Sequence, residues 1–251
     1  MFRQARQNRV YQDVVDQIQK AILEGRLKVG NRLPAERELT NLFKASRGTI
    51  REALRVLEQR GLIEIKLGVG GGAVIRGAST DKMSESLALL IQHRQVSLNH
   101  LAEFRESVEG VVAGLAAERA TKGDVDELRG LLARAKALVG QGVARWESFI
   151  KLDEQVHLAL SRISGNPLFV SVLKTIHENI HRYYESFLPG NERVMQENYQ
   201  DLCDIVGAVE RGKATQAVRF AQNHVRRFNR PMKDKQQRNS KEDTRHGEER
   251  A

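Results

Sequence analysis

Three short stretches of helical periodicity followed by two brief alternating stretches fill the first 76 residues, with turn-forming residues at every join, and few folds accept that order. From Tyr11 to Leu23 the apolar residues Val14, Val15, Ile18, Ala21 and Ile22 recur at helical spacing, and Gly25 ends the run. Gly30-Asn31-Arg32-Leu33-Pro34 reads as a turn. Pro34 then opens a second short helix, Ala35 to Phe43, at the position where a missing N–H costs nothing. Ser46 suits the N-cap of a third helix, Arg47 to Arg60, which carries Ile50, Ala53, Leu54 and Leu57 on one face and stops at Gly61. Leu62 to Lys66 alternates as a strand, Gly68 to Gly72 forms a flexible tip, and Ala73 to Ile75 returns. Helix, helix, short turn, helix and two-stranded ribbon make a winged helix-turn-helix. The Lys44-Ala45 turn then sets the third helix for a DNA major groove.

Beyond a hinge at residues 77–80, near Gly77-Ala78-Ser79, the periodicity is helical almost throughout, to about Pro231. Helices are expected from Asp81 to His93, Leu98 to Thr121, Gly123 to Gly140, Arg145 to Ile163, Pro167 to Phe187, Asn191 to Arg211 and Ala214 to Arg230. The joins at Gly123, Gly140, Ser164-Gly165-Asn166-Pro167 and Leu188-Pro189-Gly190 are short, as antiparallel neighbours in a bundle require. The fold class is therefore mainly α. Residues 1–76 form the winged domain, 81–231 an all-helical antiparallel bundle, and 232–251, with 11 charged residues of 20, a disordered tail.

The formal net charge is +9, and residues 1–76, with 15 Lys+Arg against 8 Asp+Glu, hold most of it. A basic block in an otherwise balanced chain fits a polyanion partner, and equally a solvated basic face. No run approaches 18 apolar residues, and Met1 to Arg9 is polar and basic, so neither a membrane span nor a signal peptide is expected. The expected address is the cytoplasm. The single cysteine, Cys203, excludes an internal disulfide and a thiolate zinc cluster.

Leu33-Pro34-Ala35-Glu36-Arg37-Glu38-Leu39, then Ser46-Arg47-Gly48-Thr49-Ile50-Arg51-Glu52-Ala53-Leu54, then Leu57-x-x-x-Gly61-Leu62-Ile63 closely resemble the GntR family of bacterial transcription regulators. Phe104-Arg105-x-x-x-Glu109, Asp153-x-x-x-His157 and Ser164-Gly165-Asn166-Pro167 resemble its FadR-type subfamily, whose second domain is an FCD-like effector and dimerisation module. The resemblance implies a double-stranded operator, a homodimer and a small-molecule effector, in the bacterial cytoplasm and on the nucleoid when bound to DNA. Arg37, Arg47 and Arg51 lie at or near the starts of the second and third helices, and arginine suits bidentate contact with guanine. The resemblance puts them on bases and backbone, with the Ser46 and Thr49 hydroxyls on phosphates. Any one of these arginines could instead pair with Glu36, Glu38 or Glu52. Gly68 allows the wing tip to approach DNA, with Lys66 supplying charge beside it, but the tip Gly68-Val69-Gly70-Gly71-Gly72 is longer than the family's short polar one.

Asp153 and His157, four apart, share a helix face and could share a cation. In many FadR-type relatives such a pair joins two later histidines, twenty-two residues apart, around a divalent metal such as Zn, Ni or Mn. His224 matches the last, but Leu202 stands where the third should be and cannot coordinate. Cys203 points about a hundred degrees away on a helix and Tyr199 lies nearly a turn earlier, so neither replaces it without a register change. Asp153, His157 and His224 thus make either a three-ligand metal site or a hydrogen-bonded polar cluster. Arg105 either clamps an effector carboxylate, forming an effector set with Asp153, His157 and His224, or pairs with Glu109. His177 and His181 read as an amphipathic polar stripe, and Asn166 as a helix cap.

The expected function is a metabolite-responsive repressor that binds an inverted-repeat operator as a dimer and responds to a small carboxylate or acyl compound. The alternative is a metal-dependent enzyme using Asp153, His157 and His224. No general base or nucleophile stands at a recognisable spacing to support it, so no enzyme is expected.

Overall fold

In the computed structural model, residues 9–68, 71–76, 80–93, 96–188 and 190–248 are described. The chain divides into two compact units, Met1–Met83 and Ser84–Ala251. Of the expected hinge, residues 77–79 lie outside the described residues, and the division falls slightly later, within a helix.

The first unit holds α1 (Arg9–Leu23), α2 (Glu36–Phe43), α3 (Arg47–Gln59), β1 (Ile63–Lys66) and β2 (Gly72–Ile75). The strands run antiparallel, Ile63 opposite Ile75 and Lys66 opposite Gly72. Val15, Ile50, Leu57, Ile63 and Ile75 are buried together, so α1, α3 and the base of the ribbon share one core. The Gly30–Pro34 segment is more than a turn. Leu33 N–H donates to the Ala73 carbonyl and Ile75 N–H to the Asn31 carbonyl, which covers the outer edge of β2. Pro34 does not open α2. Ala35 is the cap residue, and its N–H donates to the Glu38 carboxylate at 3.2 Å, so Pro34 stands outside the helix. The α2–α3 turn passes through Lys44 at φ 49°, a left-handed conformation that closes α2 tightly before Ser46 caps α3 by accepting from Thr49 N–H at 3.1 Å.

The second unit holds α4 (Asp81–Gln92, whose first residues belong to the first unit), α5 (Leu98–Arg119), α6 (Lys122–Val139), a 3₁₀ turn (Val143–Arg145), α7 (Trp146–Ile163), α8 (Pro167–Phe187), α9 (Glu192–Glu210) and α10 (Ala214–Glu248). Ser97, Thr121, Asn166 and Asn191 each cap the helix that follows. Central α5 packs most extensively on α10. A Cβ at Gly110 would stand 2.8 Å from Gln222 and one at Gly114 would stand 2.8 Å from Val218. The stretch 232–251, expected to be disordered, continues α10 as helix as far as Glu248. Its charged composition denies it a core but not a helix, because Lys, Arg, Gln and Glu are good helix formers.

Candidate functional site

The DNA-reading candidates gather where α2 and α3 begin. Arg37, Ser46, Arg47 and Arg51 are exposed, and Thr49 is half-buried. Arg37 and Arg47 make no hydrogen bond or ion pair among the described residues, whereas Arg51 Nε donates to the Glu36 carboxylate at 2.9 Å. The salt-bridge alternative therefore holds for Arg51 and not for the other two. Ser46 Oγ lies 2.8 Å from Thr49 Oγ1, so one hydroxyl caps α3 while both stay near its N-terminus, where an anion is favoured. On the wing, Lys66 is exposed and Gly68 adopts φ 97°, a conformation that suits glycine, while Val69-Gly70 lie outside the described residues.

Inside the helical unit lies a charged cluster drawn from four helices. Arg105 and Glu109 come from α5, Asp153 and His157 from α7, His177 from α8 and His224 from α10, and none is more than 2% exposed. Arg105 Nε donates to Glu109 at 2.5 Å and its Nη1 to the Tyr184 hydroxyl at 2.8 Å, while Nη2 has no partner. Glu109 also takes His157 Nδ1 at 2.7 Å and stands 3.3 Å from His177 Nε2. The Nε2 atoms of His157 and His224 face each other at 3.1 Å, with Asp153 carboxylate oxygens 3.7 and 3.5 Å from them. His224 Nδ1 lies 3.5 Å from Asp201, which accepts from Arg227 at 2.7 Å. The His157 and His224 imidazoles thus each turn Nδ1 toward a carboxylate and Nε2 toward Asp153.

That is the arrangement in which outer carboxylates orient histidine ligands toward a cation. The donor set fits a divalent metal, because two nitrogens and an oxygen converge and Asp153 Oδ1 is buried without a partner. Leu202 is fully buried among apolar side chains and adds no donor.

Electrostatics follow the packing. Burial alone would raise Glu109, but Arg105 and then His157 outweigh it and hold the carboxyl well below its ordinary range. Burial works against a charge on His157, yet Glu109 and Asp153 raise it on balance. For His177 burial prevails and lowers it. Burial likewise pushes the Tyr184 hydroxyl up, so it stays protonated.

Two hollows adjoin the cluster. One of about 30 Å³ is lined by Asn198, Asp201 and His224, among others, and Asn198 has no partner on either side-chain polar atom. The other is an open cleft of about 470 Å³ between the start of α7 and the end of α8.

A profile of the FCD domain matches residues 100–227, just over half the chain, and one described as bacterial regulatory proteins of the gntR family matches residues 10–72. The chain is a GntR-family regulator with an FCD domain. It is similar to the Uxu operon regulator of Haemophilus influenzae, 28% identical over 224 residues, covering 87% of this chain and 80% of the relative. It is also similar to the HTH-type transcriptional regulator LutR of Bacillus subtilis, 28% identical over 200 residues, covering 78% and 89%. The Escherichia coli repressor NanR is 28% identical over 219 residues, covering 84% and 80%. Among solved structures, a GntR protein of Streptococcus agalactiae superposes with a TM-score of 0.65 at 27% identity, covering 88% of this chain and 99% of that one.

This GntR-family protein is accordingly a DNA-binding transcription regulator rather than an enzyme, since the family and these relatives are regulators. Among the described residues, no helix is long and apolar enough to cross a membrane. Asp153, His157 and His224 lie together, and Arg105 pairs with Glu109 beside them. His177 is no surface stripe but a buried partner of Glu109, and the side chain of His181 lies outside the described residues. Tyr184, Asn198 and Asp201 were missed. The one legible hint was that Asp201 and His224 flank the turn between α9 and α10 at spacings that bring α9 beside α10.

Proposed function

We propose that this regulator represses transcription from an inverted-repeat operator as a homodimer, and that a small organic anion binding its helical unit releases it. The observation that carries the sensing half is the buried cluster. Six ionisable side chains inside a bundle cost desolvation that apolar residues would avoid, so their presence favours a binding role over a packing role. Arg105, with one nitrogen unpartnered, supplies the fork for a carboxylate. Asp153, His157 and His224 would hold a divalent cation, which supplies a further positive charge for the same anion. Release requires the anion to bind the DNA-incompetent arrangement more tightly than the competent one.

On the DNA side, Arg37, Arg47 and Arg51 read base edges, while Ser46, Thr49, Lys66 and Gly68 meet the backbone. Arg51 must leave Glu36 to do so. The similarity to NanR, a transcriptional repressor, supports repression here. Arg47→Ala should weaken binding to a selected operator by about 1–3 kcal/mol in a gel-shift titration; unchanged affinity removes Arg47 from the readout. Elemental analysis of the purified protein should find close to one divalent ion per chain, lost in His224→Ala. Metal-free wild-type protein would leave the cluster as hydrogen-bonded polar residues alone.

A further inference from the structure

Among the described residues, Lys44 is the one position other than glycine with a positive φ, at φ 49° and ψ 41°. The turn between α2 and α3 requires that conformation, because the N–H groups of Lys44 and Ala45 both reach the Thr40 carbonyl, and Ala45 is buried in the core of the winged unit. It does not require lysine. A left-handed residue that carries a side chain crowds its Cβ against the backbone, a cost that glycine avoids and asparagine tolerates. The Lys44 side chain gains nothing inside the fold in return: it is exposed and makes no hydrogen bond or ion pair among the described residues. Its surroundings are of one sign. Residues 39–51 hold Lys44, Arg47 and Arg51 and no Asp or Glu, and of the three only Arg51 has an acidic partner, Glu36 from outside the stretch.

We infer that Lys44 is a phosphate contact of the DNA complex: its ammonium seats on the backbone beside the groove that α3 enters, and the left-handed turn keeps a lysine for that contact. This rests on the DNA-side reading proposed above, in which Arg47 opens the reading helix. Strained backbone persists where function holds it, and DNA is the polyanion this unit meets. Lys44 precedes the Ser46 cap by two residues, so the two lie no more than about 7 Å apart along the chain. Its chemistry selects phosphate over bases. An ammonium on a flexible stem is a point charge, without the planar fork by which arginine matches guanine. Neutralising a phosphate adds affinity on every sequence, so Lys44 holds α3 on the duplex while Arg47 supplies the choice of site.

The full-length wild type, Lys44→Gly, Lys44→Asn and Lys44→Arg are titrated by fluorescence anisotropy onto a selected operator and onto a duplex of unrelated sequence, at about 50 to 200 mM salt. A contact that rests on counterion release fades toward about 1 M salt. For each chain on the duplex, Lys44→Gly and Lys44→Asn should therefore bind about 15-fold more weakly at 50 mM and about fourfold more weakly at 200 mM, with the slope of log affinity against log salt reduced by about 0.9. Both duplexes should lose alike, and Lys44→Arg should keep the wild-type slope. Glycine and asparagine relieve the turn, so neither neutral variant should melt below the wild type. Wild-type affinity and slope in both neutral variants overturn the contact. A loss that does not vary with salt overturns it as well, because the shape of the turn and not its charge would then matter. A loss confined to the selected operator makes Lys44 a base reader instead, and a lower melting temperature in both neutral variants shows that the lysine serves the fold. Wild-type protein that binds both duplexes equally fails the operator reading, while the salt slopes still decide Lys44; protein that binds neither duplex overturns both.

Discussion

Glu109 is the residue on which the buried cluster turns, because one carboxylate serves Arg105, His157 and His177 together. Removing it leaves a fully buried guanidinium without its anion, and breaking such a pair costs about 3–5 kcal/mol. Glu109→Ala should lower unfolding stability by that amount in urea titrations, far more than an exposed change such as Arg193→Ala. The carboxyl is held below its ordinary 4.5, so its contribution is complete above that value and is lost as pH falls through the lower folded one. His177 is held below 6.5, so the unfolded chain takes up its proton first and stability falls as pH drops beneath 6.5. His157, raised, acts oppositely: its contribution is present below 6.5 and is lost as pH rises through its folded value. In His177→Asn the downward slope of stability below pH 6.5 should be shallower than in the wild type; parallel curves would show that His177 does not titrate as its burial requires. Sequence spacing revealed Arg105 with Glu109, and Asp153 with His157, because four residues on one helix are neighbours. It could not reveal that Glu109 reaches His177, since that contact depends on how α5 and α8 pack.

At the scale of elements, caps were the most legible feature. Ser46 and Asn166 announced their helices, and both accept backbone N–H groups where expected, from Thr49 and Leu168. The entry to α6 adds a reciprocal pair: Thr121 accepts from Asp124 N–H at 3.3 Å, and Asp124 accepts from Thr121 N–H at 2.8 Å. Thr121→Ala should cost about 1 kcal/mol and lower the melting temperature by roughly 2–4 °C, measured by circular dichroism. The end of α10 was less legible. Pro231 and a charged run both argue for a stop, yet neither forbids a helix whose remaining residues propagate well. The segment before α2 departs from its sequence reading for a related reason: its hydrogen bonds go to β2, a partner forty or more residues away that local pattern does not show.

Across the whole molecule, charge and chemistry are divided. Most of the formal +9 lies in the winged unit, on the surface, while the helical unit keeps its decisive charges inside and paired. Operator affinity should therefore fall steeply with salt, by about a thousandfold between 50 and 200 mM if six phosphates are met. Carboxylate binding at the buried Arg105 should hardly respond to the same change, because buried groups are screened much less. Fluorescence anisotropy for DNA and titration calorimetry for a small organic acid would compare the two.

The missing side chains at Gly110 and Gly114 bring α5 and α10 so close that even a methyl group on either would press against Gln222 or Val218. Mechanically, that makes the two helices one stiff plate, carrying Arg105 and Glu109 on one rib and His224 on the other. A plate of that kind resists sliding, so Arg105 and His224 are expected to keep a fixed separation. Compliance then has to come from the helices that close over the plate, and slow amide exchange along α5 and α10, with faster exchange at the end of α8 beside Tyr184, would be the signature of such a mechanism.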